Sequence, residues 1–116
     1  MAWFRPIGFA LACVATSASE VTTFGDLGSA AWKWWYGVAS ESGAVYGIPY
    51  SADAVLKIDP FSDNTSTVGS VGSAPEKWRH AVLAGNGVIY GIPNKADSVL
   101  RIDTASDEVT TFGSSL

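Results

Sequence analysis

The sequence predicts an all-β protein built from two four-stranded repeat units, and three observations carry that prediction. The first is a gap-free period of 44 residues: Lys33-Trp34 returns as Lys77-Trp78, Tyr46-Gly47-Ile48-Pro49 as Tyr90-Gly91-Ile92-Pro93, and Val55-Leu56-x-Ile58-Asp59 as Val99-Leu100-x-Ile102-Asp103. A period of this length marks stacked repeat units. The second is the depth of the match, since Gly25 to Val68 and Gly69 to Phe112 share 21 of 44 positions and the pairs Ala44/Val88, Val45/Ile89 and Lys57/Arg101 exchange like for like. The third is local composition. β-branched and aromatic residues fill the apolar segments while Gly or Pro recurs every few residues, a pattern that suits strands and turns and disfavours helix.

Taken in chain order, the first element is residues 1–18. Arg5, the apolar run Ile7 to Ala15 and the small residues Thr16-Ser17-Ala18 read as a short secretory signal with cleavage after Ala18. Against this, Pro6 interrupts the run, and Leu11-Ala12-Cys13-Val14 falls in register with Val55-Leu56-Lys57-Ile58, which makes the same segment a degraded strand. The chain is secreted on the first reading, and the second leaves its location open. Residues 20–24 read as the remnant outer strand of a preceding unit, because Val21-Thr22-Thr23-Phe24-Gly25 reappears two periods later as Val109-Thr110-Thr111-Phe112-Gly113.

The two complete units are 25–68 and 69–113. Each divides into four strands: Trp34 to Ala39 (Trp78 to Leu83), Ala44 to Pro49 (Val88 to Pro93), Ala54 to Asp59 (Ser98 to Asp103) and Thr65 to Val68 (Val109 to Phe112). The first two strands are joined by Glu41-Ser42-Gly43 and Gly85-Asn86-Gly87, whose Gly and Asn-Gly supply the positive φ angles of tight hairpins.

The run Val45-Tyr46-Gly47-Ile48-Pro49, followed by Ala52-Asp53-x-Val55-Leu56-x-Ile58-Asp59-Pro60, resembles the blade repeat of YVTN, kelch-like and quinoprotein-type β-propellers. More narrowly, the pattern KW…YGIP…VLxID…TTFG is similar to tandem repeats of uncharacterised algal proteins. The likeness spans about Glu20 to Gly113. It implies two four-stranded blades plus a remnant strand, and it implies no particular activity, because propellers host binding, scaffolding and catalysis alike.

Propellers close with about four to eight blades. Two blades leave faces carrying Val55, Leu56, Ile58 and Ile48 without a neighbour, and burying four such side chains is worth about 6 to 12 kcal/mol. Self-association is therefore expected of a complete chain, with three or four copies giving six or eight blades. A piece of a longer array is the alternative.

Composition sets further bounds. The formal net charge is -4 with scattered basic residues, which argues against a nucleic-acid partner. No apolar run reaches the roughly 18 residues of a membrane span. Cys13 is the only cysteine, so no disulfide forms within the chain. Asn64-Thr65-Ser66 fits the N-glycosylation acceptor pattern and becomes a glycan site if residues 1–18 direct secretion.

Candidate sites follow from the repeat. Lys33-Trp34 and Lys77-Trp78 open the innermost strand of each blade, where Trp34 and Trp78, with Trp35 and Tyr36, could form an aromatic platform for a glycan or a protein ligand. The structural alternative has Trp packed between blades and Lys in solvent. Three Trp fall within Trp32 to Trp35. His80, the only histidine, replaces Tyr36 of the other copy, so it marks a break in the repeat and joins these aromatic residues as a candidate ligand-binding position. As a general base it would need a positioned partner, and no serine-centred or metal-spaced motif accompanies it. The turns Asp59 to Asp63 and Asp103 to Asp107 could hold calcium, but Asp at turn starts more often accepts backbone N–H bonds. The sequence thus predicts a non-catalytic propeller-type binding or scaffold module with no cofactor and no metal. A quinoprotein- or lactonase-like enzyme subunit and a non-functional fragment of a longer array are the alternatives.

Overall fold

The computed structural model describes residues 20–115, so the segment read as a signal or degraded strand lies outside the described residues. Eight antiparallel strands form two four-stranded sheets. The first sheet has the order β1 (Trp34–Ala39), β2 (Val45–Pro49), β3 (Val55–Asp59), β4 (Asn64–Val68), and the second has β5 (Trp78–Leu83), β6 (Val88–Pro93), β7 (Val99–Asp103), β8 (Glu108–Phe112). Each sheet is a simple meander, the architecture of a propeller-like blade. Among the described residues, no helix is long and apolar enough to cross a membrane.

Cross-strand register sorts each blade into two faces. Tyr46 opposes Lys57, and Gly47 opposes Leu56, so with a side-chain period of two Tyr46, Ile48, Val55 and Lys57 lie on one face and Val45, Leu56 and Ile58 on the other. These are called here the tyrosine face and the leucine face. The second blade repeats the arrangement with Tyr90, Ile92, Val99 and Arg101 against Ile89, Leu100 and Ile102.

The core lies between the two blades. Its buried members are Tyr46, Ile48 and Val55 from the first blade's tyrosine face and Trp78, Ala81, Ile89, Leu100 and Ile102 from the second blade's leucine face. One blade therefore stacks its tyrosine face on the next blade's leucine face. The expectation that Val55 and Ile48 would be open to water is corrected by this packing, which buries both completely, and Leu56 is buried too. On the second blade's tyrosine face, Val82, Ile92 and Phe112 are left uncovered.

Polar contacts fix the junction. The Lys77 N–H donates to the Tyr50 carbonyl at 2.6 Å and the Val71 N–H to that of Asp53 at 2.8 Å. Lys77 was expected in solvent, yet it is only 4% exposed. Its ammonium donates to the carbonyls of Ala52 (2.6 Å) and Ala74 (2.8 Å), which satisfies donors that burial would otherwise orphan. Desolvation lowers its pKa from the ordinary lysine value.

The turns behave as the Asp spacing suggests. Asp59 accepts the Phe61 N–H at 2.9 Å and Asp103 the Ala105 N–H at 3.0 Å. Asp107 closes its turn at φ 62 and sends its side chain across the junction, where Tyr46 Oη donates to Oδ1 at 2.6 Å and Lys57 Nζ donates to Oδ2. Burial raises the Asp107 carboxyl, but the Lys57 and Tyr46 hydrogen bonds outweigh it and hold it below the usual aspartate value.

Residues 20–24 carry no strand assignment and pair with neither described sheet, a difference from the remnant strand the repeat predicts, since a lone strand has no ladder to satisfy its backbone. Gly69, at φ 75, leaves β4 so close to the next blade that a Cβ there would lie 2.5 Å from Val109 Cβ, and Gly25, at φ 80, sits 2.8 Å by the same measure from Thr65 Oγ1. Thr65 and Val109 are one period apart, so Gly25 approaches the first blade as Gly69 approaches the second.

Candidate functional site

The first strands of the two sheets, β1 and β5, run side by side, and each carries a bulge. The register with the neighbouring strand shifts between Trp34 and Tyr36 and again between Trp78 and His80, which inserts Trp35 and Arg79 as extra residues. A bulge redirects side chains locally. The bulged positions of the two blades meet: the Arg79 guanidinium lies 4.6 Å from the Trp35 ring centroid, and the Tyr36 and His80 rings lie 5.2 Å apart, inclined by 60°.

The repeated tryptophans have another role. Trp34 Nε1 donates to the Ala54 carbonyl at 2.9 Å and Trp78 Nε1 to that of Ser98 at 2.8 Å, the same bond made twice from the first strand to the entry of the third. Trp78 is 2% exposed, covered by the first blade. That burial takes it out of the expected aromatic platform. Trp34 is half-buried on the first blade's uncovered leucine face.

Trp35 instead anchors a cleft at the junction. Trp32 stacks on it at 5.2 Å with an interplanar angle of 16°, and Tyr50 packs against it at 4.9 Å. Trp32, Trp35, Tyr50, Ser51, Pro75 and Glu76 enclose an open volume of about 370 Å³. Tyr50 Oη donates to Glu76 Oε1 at 3.1 Å, and the Glu76 N–H donates to Ser51 Oγ at 3.3 Å. Lys95 closes the carboxylate's other side at 3.3 Å. Desolvation, then the Glu76 hydrogen bond, raises the Tyr50 pKa above the ordinary phenol value.

Trp32 is 65% exposed and left-handed at φ 55. Bulky residues adopt that conformation at a cost, whereas the fold requires it: the equivalent Glu76 has φ 58, and the two carbonyls accept the equivalent N–H groups of Ser51 and Lys95. The slot fixes the backbone but does not call for tryptophan.

The cleft lies at positions where the two copies disagree. Trp32 stands against Glu76, Trp35 against Arg79, Tyr50 against Asn94, Ser51 against Lys95 and Pro75 against Ala31. Tyr50, Ser51, Pro75, Glu76 and Arg79 were not read as site residues from the sequence, and this mismatch between copies is the signal that marks them. His80 is exposed beside Tyr36 at the rim of the β1–β5 contact. Asn64 is exposed at the start of β4. Among the described residues, no group of three or more His, Cys, Asp or Glu side chains is placed to hold a metal ion.

Fold and site together define an all-β pair of propeller-like blades with an aromatic cleft at their junction. Neither a protein-family model nor a curated protein nor a solved structure matches the chain.

Proposed function

We propose that the chain is a non-catalytic binding and scaffold module of the propeller type, whose junctional cleft takes a sugar ring of a glycan. The observation that carries this reading is the exposed, left-handed Trp32 stacked on Trp35 among lining positions that the repeat does not dictate. Indole faces pack on the C–H faces of a pyranose, and Glu76, Ser51 and the Tyr50 hydroxyl stand where ring hydroxyls need partners. The scaffold half of the reading, association with further blades, rests on a different surface.

The test is a tryptophan-emission titration with an oligosaccharide panel, repeated with a proline-containing peptide panel. Saturable shifts with sugars, weakened about tenfold or more by Trp35→Ala and Trp32→Ala, support the proposal. Response to peptides alone replaces the glycan with a protein ligand. A turnover abolished by His80→Ala at unchanged melting temperature would put the enzyme alternative in its place.

A further inference from the structure

The junction between the blades is a complete specimen of an interface whose two halves also occur, unmatched, at the outer faces of the described pair. On the covering side it uses Tyr46, Ile48, Val55 and Lys57. Their equivalents Tyr90, Ile92, Val99 and Arg101 keep three identities and the positive charge. On the receiving side it uses Trp78, Leu100, Ile102 and Asp107, and the equivalents Trp34, Leu56, Ile58 and Asp63 are identical. Asp63 holds the same left-handed backbone, φ 58 against 62. Burial shows which halves lack a neighbour: Ile48 is fully buried while Ile92 is 50% exposed, and Trp78 and Ile102 are buried while Trp34 and Ile58 are only partly so, Leu56 being the one buried member of that set.

We propose that the second blade's tyrosine face docks on the first blade's leucine face of a second copy of this chain, with Tyr90 and Arg101 reaching Asp63 of that copy as Tyr46 and Lys57 reach Asp107 within one chain. This deepens the scaffold half of the proposed function. Charge complementarity and continuity with the internal junction select the occupant: the Arg101 side supplies a cation and a phenol, and the Asp63 side supplies the carboxylate that this geometry accepts. The contact is head-to-tail, so it propagates and closes only if the rotation per blade permits.

One strand position is supplied twice in such a pair. The outer strand leading into the docked blade is β8 of one copy and residues 21–24 of the other, and the two share the sequence Val-Thr-Thr-Phe, followed in each case by Gly. Either can lie beside β7 in the same register, and the other is set aside.

Sedimentation velocity on the full chain over a concentration series tests the contact. Wild type should associate reversibly. Arg101→Glu and Asp63→Arg should each weaken association about tenfold or more. The two variants mixed, or combined in one chain, should recover it, because each mixed junction again carries opposite charges. Matched melting curves establish that the variants fold. A wild type that stays monomeric to millimolar concentration, or association unaffected by either substitution, overturns the proposal. Sugar titration of the same variants keeps the cleft reading separate, since neither residue lines the cleft.

Discussion

Tyr46 and Asp107, 61 residues apart in the chain, meet in a hydrogen bond of 2.6 Å that links the first blade to the turn between the last two strands of the second. Lys57 holds the other carboxylate oxygen. A turn residue is thereby converted into the polar clasp of the blade junction.

Asp107→Asn should cost about 1.5 to 3 kcal/mol, the range for hydrogen bonds to a charged group. Asp63→Asn, at the equivalent turn without a blade behind it, should change stability by no more than about 0.5 kcal/mol. Urea unfolding of both variants checks the contrast, at a concentration where the chain is monomeric.

The same carboxyl gives the acid limb of stability its shape. Its folded-state pKa lies below the unfolded value of about 3.9. Its contribution is therefore complete above about pH 4 to 5 and is lost as pH falls through the folded-state value. Melting temperatures from pH 7 to pH 2 should fall more steeply for wild type than for Asp107→Asn, with the curves converging at the acid end.

Trp78→Ala removes a side chain sealed between the blades and should destabilise by about 3 to 5 kcal/mol. Trp35→Ala, on a partly exposed ring, should cost about 1 kcal/mol or less while removing the emission response to ligand. Calorimetry and fluorescence on the pair separate the structural tryptophan from the binding one.

Gly69→Ala meets both a positive φ and a Cβ contact of 2.5 Å with Val109. Gly72→Ala has a similar φ of 81 but open space around it. The first should cost about 2 kcal/mol or more and the second about 1 kcal/mol, measured by chemical denaturation.

The strands were legible because the repeat states each slot twice. Asp59 and Asp103 at turn starts, Gly and Asn-Gly at hairpins, and apolar alternation in Val55 to Asp59 are local signals. The junction was not legible in the same way. That Lys77 is buried, that Ile48 is covered while Ile92 is open, and that Asp107 reaches Tyr46 all depend on how one sheet lies on the next. Two identical residues in the repeat therefore have different surroundings, which no pattern within a repeat encodes. The cleft was legible only in part: Trp35 drew notice through the tryptophan cluster, whereas Tyr50 and Glu76 are distinguished solely by failing to match their counterparts.

The cleft draws Trp32, Trp35, Tyr50 and Ser51 from the earlier blade and Pro75 and Glu76 from the later one. It is thus a property of the order of the blades and not of their content. A chain encoding the second blade ahead of the first would retain every one of these side chains and divide them between opposite flanks, and an array copied from one blade alone would keep at each joint the four wall residues of the first blade or the two of the second. Lengthening of this protein by duplication multiplies the cleft only when it copies the two blades together, so the heritable unit of the site is the pair.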